Sequence, residues 1–281
     1  MSSKSMPKTF LITGANRGIG LEMTRQAVAR GDRVIACTRN ALESSDLVAL
    51  AKQNDSITVL GLDVCAEKDM KQIANGMKRP IDILVCNAGV LNSYGGLQAA
   101  DHDTASIANV LMTNIVGVFF TARSFLPHVL DGTPGKIAII SSKMGSQELA
   151  DSNAPIYRAS KAAATNLARS MAVELAPQGV AVGAYHPGWV RTDMGGAAAP
   201  VTTGESVSGM RQVIAGAGMA DNGHFLNYDG AALPWWYDPC PPRSIFISNC
   251  HRPVLIWRRG RSATSPSFMI VPFIGGQSCW G

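Results

Sequence analysis

The 281-residue chain is short of charge, at 16%, and of aromatic residues, at 6%. So little charge with 46% apolar residues excludes a disordered chain, and so few aromatics speak against an all-β sandwich. No uninterrupted apolar run approaches the roughly 18 residues of a membrane span. The first eight residues, Met1 to Lys8, meet a glycine-rich turn too soon to hold the apolar core of a signal peptide. These absences predict a soluble, cytoplasmic protein with no membrane partner. None of the six cysteines stands in a CxxC pair, and the five histidines do not pair at metal-ligand spacing, so no metal is expected. A basic stripe is missing too. The net charge is +5, but from Asp238 onward five arginines face one aspartate, which leaves the first 237 residues close to neutral. Nucleic acid is therefore not an expected partner.

What is present is an alternation of short β-rich runs with longer segments of helical period. The runs are Thr9–Thr13, Arg33–Cys37, Ile57–Leu62, Ile81–Cys86, Lys136–Ser141, Val180–Tyr185 and Phe225–Tyr228. Helices are predicted over Ile19–Arg30, Glu67–Met77, Thr104–Leu130 and Tyr157–Ala176; Gly195–Ala220, rich in Gly, Ala, Thr and Ser with Val207, Met210 and Ile214 spaced like one face of a short helix, reads as a mobile lid. This rhythm predicts an α/β fold: a doubly wound parallel sheet of about seven strands with helices on both faces, a Rossmann-type domain over residues 1–237. Residues 238–281 do not fit the rhythm. They hold six of the fifteen prolines and form an atypical Pro/Arg-rich extension. Ile245–Ile247, Val254–Trp257 and Phe268–Ile274 are its apolar segments, and a passive extension or packing on the body or a second subunit are both open.

Chemistry enters with Thr13-Gly14-Ala15-Asn16-Arg17-Gly18-Ile19-Gly20, which follows the first strand and opens the first helix. Glycines let the backbone turn sharply and approach a pyrophosphate, while the helix N-terminus presents free N–H groups to the anion. The spacing is TGxxxGxG. Asp63 follows the third strand, Asn87-Ala88-Gly89 the fourth, Tyr157 and Lys161 stand as YxxxK, and Pro187-Gly188 with Thr192 follows the sixth strand. In this order the motifs resemble the short-chain dehydrogenase/reductase family over residues 8–236, and within it a carbonyl-reductase-like branch that includes C-factor signalling proteins.

The resemblance implies a nicotinamide dinucleotide held by Gly14, Asn16, Arg17, Gly18, Ile19 and Gly20, with Asp63 and Val64 at the adenine and Asn87, Ala88 and Gly89 lining the adenosine side. It also places Pro187, Gly188, Val190 and Thr192 at the nicotinamide carboxamide. An acidic residue at the end of the second strand would select NAD. Here that strand ends Cys37-Thr38-Arg39-Asn40, so Thr38, Arg39 and Arg17 suit a 2′-phosphate, and NADPH/NADP+ is the expected cofactor.

Tyr157 and Lys161 are one helical turn apart and project from one face. A phenol of ordinary pKa about 10 is a poor acid at neutral pH, and a neighbouring ammonium together with a bound nicotinamide is expected to lower it. By resemblance Tyr157 is the general acid, Lys161 also anchors the nicotinamide ribose, Ser142 holds the substrate carbonyl, and Asn114 completes the catalytic set. Ser141 and Ser146 remain alternatives to Ser142.

The pocket wall is expected from Leu91–Gly96, Lys143–Ala154, Trp189–Met194 and the lid, mostly apolar through Leu91, Tyr94, Met144, Leu149, Trp189 and Met194. The expected function is NADPH-dependent reduction of a hydrophobic ketone, aldehyde or 3-oxoacyl compound, which includes 3-oxoacyl signal molecules. A dinucleotide-binding sensor of the same fold with little turnover is the alternative. The family buries the helices Thr104–Leu130 and Tyr157–Ala176 between subunits, which implies a homodimer or homotetramer.

Overall fold

A computed structural model describes residues 6–133 and 135–235, together with 254–255 and 270–271. The chain divides into two compact units, Met1–Tyr237 and Asp238–Gly281. In the first, the strands are β1 (Thr9–Thr13), β2 (Arg33–Thr38), β3 (Ile57–Gly61), β4 (Ile83–Cys86), β5 (Lys136–Ile140), β6 (Ala181–His186) and β7 (Phe225–Asn227). They form one parallel sheet in the order β3-β2-β1-β4-β5-β6-β7. The order reverses between β1 and β4, which opens a crevice at the carboxyl ends of these two strands, the place where such sheets bind ligands.

Side chains alternate between the two faces of each strand, and each face has its own helices. Leu11, Ile35, Cys37, Leu84, Cys86, Ile137 and Ile139 point to one side, where they meet α3 (Glu67–Gly76), α5 (Gly117–Leu130) and α6 (Pro155–Leu175). Phe10, Ile12, Val34, Ala36, Ile83, Val85, Ala138 and Ile140 point to the other, against α1 (Gly18–Ala29), α2 (Ser45–Lys52) and α7 (Thr203–Gly216). Strands buried on both faces explain why the β-rich runs of the sequence are continuously apolar rather than alternating.

Three sequence expectations change. Thr104–Leu130 is not one α-helix but α4 (Thr104–Leu111), a π-helical turn (Met112–Val116) and α5, with the Gly117 N–H donating to the Met112 carbonyl five residues back. By length and composition this stretch is apolar enough to cross a membrane. One side of it, including Val110, Asn114, Val118, Thr121, Phe125 and Val129, is instead buried in the protein. The expected lid contains the regular helix α7, begun by a capping box between Thr202 and Glu205 and anchored by buried Val207, Met210 and Ile214. Spaced at i, i+3 and i+7, these three residues make α7 a layer of the core rather than a cover. Helix α2 was not expected, because, only eight residues long, it shows its apolar face, Leu47, Leu50 and Ala51, just once.

In the second unit, Val254–Leu255 and Ile270–Val271 pair antiparallel as β8 and β9. The other apolar segments expected there, Ile245–Ile247, Ile256–Trp257, Phe268–Met269 and Pro272–Ile274, lie outside the described residues.

Candidate active site

The glycine turn between β1 and α1 is fixed from two sides. Gly14 has φ +64°, in the left-handed region open to glycine, and a Cβ at Gly20 would lie 2.2 Å from the Gly14 carbonyl oxygen. Asn87, at the end of β4, donates through Nδ2 to the carbonyls of Thr13 at 2.9 Å and Gly14 at 3.1 Å. Thr13 Oγ1 in return accepts from the N–H groups of Asn87 and Ala88, each at 3.1 Å. The Asn87 side chain therefore braces the turn, although its residue also borders the cavity.

A cavity of about 270 Å3 opens at this crevice. Its wall brings together Gly14, Asn16, Arg17, Gly18, Ile19, Gly20, Thr38, Arg39, Asp63, Val64, Asn87, Ala88, Gly89, Tyr157, Lys161, Pro187 and Thr192. Gly188 and Val190 are not on this wall. Val190 is buried and bridges to Val201, and Gly188 packs on the ring of Tyr228. The wall also includes Asn40, Leu62, Val90, Thr113, Ile140, Ser141, Asp193 and Met194, which sequence reasoning did not single out for the dinucleotide. Most of them directly adjoin a motif residue, and that adjacency was the available signal.

Charge at the cavity mouth is arranged differently from expectation. Arg39 is exposed beside Thr38 and Asn40. Arg17 does not stand free as a second phosphate cation but pairs with Asp193, Nη1 to Oδ2 at 2.7 Å, because that carboxylate projects from the facing loop. Asp63 holds its own turn by accepting from the Cys65 N–H at 2.9 Å.

At the other end of the cavity lie the groups able to move a proton. Lys161 is buried on α6, and its Nζ donates to the Ile140 carbonyl at 2.9 Å and stands 5.6 Å from the centre of the Tyr157 ring. Burial lowers its pKa from 10.5 to about 8. A Cβ at Gly89 would come within 3.3 Å of both Lys161 Nζ and Asn114 Oδ1, so glycine there lets lysine and asparagine approach the same stretch of backbone.

Tyr157 departs from the expected direction. Burial pushes its phenol above the ordinary tyrosine range, the Tyr94 phenol adds to the shift, and only a hydrogen bond with Ser142 opposes it. The expectation combined the ammonium with a bound nicotinamide; in the protein alone, desolvation outweighs the ammonium.

Of the three serine candidates, Ser142 is the one whose hydroxyl opposes the Tyr157 shift; its Oγ accepts from the Met144 N–H at 3.2 Å, and it is not on the cavity wall, where Ser141 is. Ser141 Oγ donates to the Lys161 carbonyl at 3.1 Å and pairs with Thr165 Oγ1 at 2.7 Å, which fixes β5 to α6. Ser146 is buried away from the Tyr157 hydrogen bond. Asn114 lies in the π turn, fully buried, and is not on the cavity wall. Its Oδ1 accepts from the Val90 N–H at 2.8 Å, and its Nδ2 donates to the Val90 carbonyl at 2.9 Å and to Ser160 Oγ at 3.0 Å. An isolated turn of π-helix is costly and recurs at functional sites, and here it presents this side chain to the loop that follows β4.

The sequence profile of the short chain dehydrogenase family matches residues 8–201. The C-signal protein of Myxococcus xanthus is 38% identical over 157 residues, 56% of this chain and 93% of that protein. Among solved structures, the carbonyl reductase Sniffer of Drosophila melanogaster superposes with a TM-score of 0.76 at 30% identity, covering 82% of this chain and all of that one. An NADPH-bound carbonyl reductase from chicken fatty liver superposes at 0.75 with 29% identity, covering 82% of this chain and 99% of that one. The chain belongs to the short-chain dehydrogenase/reductase family of oxidoreductases.

The depressed pKa of Lys161 has a consequence for stability. Between about 8 and about 10.5 the unfolded chain holds a proton on this lysine that the folded protein has released, so unfolding free energy gains from this group as pH rises through that window. Urea denaturation should show wild type gaining on Lys161→Met across that interval; a constant difference would contradict the burial account.

Proposed function

We propose that the protein is an NADPH-dependent carbonyl reductase acting on hydrophobic ketones, aldehydes or 3-oxoacyl compounds. The observation that carries this reading is a buried phenol, Tyr157, with the Lys161 ammonium 5.6 Å from its ring centre, both on the wall of the same cavity as the glycine turn. The cradle fits a dinucleotide. Gly20 lets the start of α1 pack directly on the Gly14 carbonyl, where a Cβ would clash, and the first turn of α1 offers N–H groups to a pyrophosphate.

When bound there, the reduced nicotinamide supplies a hydride. The protein's own residues do the rest. Thr38, Arg39 and Arg17 would hold the 2′-phosphate, with Arg17 exchanging its Asp193 partner for it, and Asp63 and Val64 would border the adenine. Pro187 and Thr192 would face the nicotinamide end. Ser142 and Tyr157 direct two hydroxyls at one substrate oxygen, and Tyr157 gives its proton to that oxygen as negative charge develops. Lys161 stands behind the phenol as the nearest cation and steadies the tyrosinate left behind. Asn114 acts one step further back by holding the Val90 backbone beside Lys161. The exposed apolar side of the helical stretch from α4 to α5, with Met112, Phe119 and Leu130, supports a homodimer or homotetramer.

One set of assays tests the reading by following NADPH absorbance with a panel of ketones, aldehydes and 3-oxoacyl esters. Tyr157→Phe should lower turnover by a factor of about 100 or more while the NADPH dissociation constant stays within about threefold. Arg39→Asp should move the preference from NADPH towards NADH. Full turnover in the first variant, or an unmoved preference in the second, would contradict the assigned roles. Sedimentation of the wild type as a monomer would contradict the proposed assembly.

A further inference from the structure

The loop that follows β6 is tied to both lips of the cleft through three consecutive residues. Thr192 Cγ2 lies 3.2 Å from where a Cβ of Gly18 would stand, so loop and glycine turn are in contact. Asp193 pairs with Arg17. Met194 offers its carbonyl to Tyr94 Oη, which donates to it at 2.5 Å. Residues 192–194 thus cross the cleft, and Tyr94 is the tie on the side away from the glycine turn.

Tyr94 is held in place for this. The Ala154 N–H donates to the carbonyls of Gly95 at 3.0 Å and Tyr94 at 3.3 Å. Ala154 has φ +46°, the one positive value for a non-glycine residue among the described residues, and directly precedes Pro155, the start of the helix that carries Tyr157. A left-handed alanine is strained and persists only where its surroundings demand it. The demand here joins the Tyr94 loop to the first turn of the Tyr157 helix. Around the tie, Tyr94, Leu97, Leu149 and Trp189 are all large apolar side chains left exposed, on the loops that follow β4, β5 and β6.

We propose that Tyr94 is a specificity-determining latch: its hydroxyl ties the Met194 backbone across the substrate entrance, so that slender, unbranched apolar carbonyl compounds pass and bulky ones must break the tie. This rests on the carbonyl-reductase reading for its substrate, but not for the latch. The apolar rim selects the body of the substrate by burial of its surface. The bridge selects its width, because a wide substrate loses a hydrogen bond that a narrow one leaves intact. Tyr94 is thus a positioning residue that acts through Met194, and its phenol also lies close enough to Tyr157 to bear on that proton.

Two measurements test it. Hydrogen exchange read on a peptide spanning residues 192–196 needs no turnover. Tyr94→Phe, which keeps the ring and removes the donor, should speed exchange there by roughly three- to tenfold. In parallel, kcat and KM are measured for decanal and for benzophenone with saturating NADPH. Wild type should favour decanal. The ratio of benzophenone to decanal kcat/KM should rise by roughly three- to tenfold in Tyr94→Phe and further in Tyr94→Ala, mainly through KM, with the NADPH dissociation constant unmoved. Unchanged exchange in Tyr94→Phe would overturn the latch. Faster exchange with an unchanged ratio would overturn its role in specificity. Should the wild type reduce neither compound while exchange still responds, the latch stands and the reductase reading falls.

Discussion

A buried lysine is the constraint around which the site is organised. Taking an ammonium out of water costs several kcal/mol unless polar groups replace the lost hydration. Lys161 finds one at the Ile140 carbonyl, the last residue of β5. Its own carbonyl accepts from Ser141 and from Thr165, which locks the helix to the strand at that level. Bare backbone at Gly89 and the side chain of Asn114 close the other side. Each of these groups has little freedom to move, so the Tyr157 ring one turn earlier on the same helix is fixed as well. Positional precision of this kind comes from regular elements more readily than from loops.

Burial then divides the labour between the two titrating groups. It drives Lys161 down to about 8 and Tyr157 upward, each towards its neutral form. A phenol held this far above its ordinary range is a weak acid, so delivery of its proton depends on negative charge developing on the carbonyl oxygen and on the Lys161 ammonium behind it. The glycine turn and the Tyr157 helix stand at opposite ends of one cavity, and both are braced from β4: Asn87 supports the turn, while Gly89 and Val90 meet Lys161 and Asn114. A single strand end therefore sets the spacing between the cofactor cradle and the proton donor.

The sequence disclosed most of this, and its failures have physical reasons. Seven strands were legible because both sheet faces are buried and each strand is an unbroken apolar run between turn residues. Tyr157, Lys161 and the glycine turn were legible because their spacing is local to one helix or one turn. The break at Met112–Val116 was not, since no proline marks the π turn and the one glycine at its end, Gly117, is followed by an unbroken helical pattern. The Gly195–Ala220 stretch misled because small residues suggest mobility, whereas Val207, Met210 and Ile214 alone decide that α7 is core. The upward shift of Tyr157 and the Arg17–Asp193 pair depend on depth and on residues 176 positions apart, quantities that no local pattern contains.

The account is tested most directly by following the transferred hydrogen. NADPH carrying deuterium on the transferable side of nicotinamide C4 is incubated with the protein and a hydrophobic aldehyde, and the alcohol is analysed by mass spectrometry and NMR. A site that holds the carbonyl between Ser142 and Tyr157 predicts one deuterium at the carbinol carbon and a hydroxyl proton drawn from solvent. Consumption of NADPH with no deuterium on that carbon would contradict it.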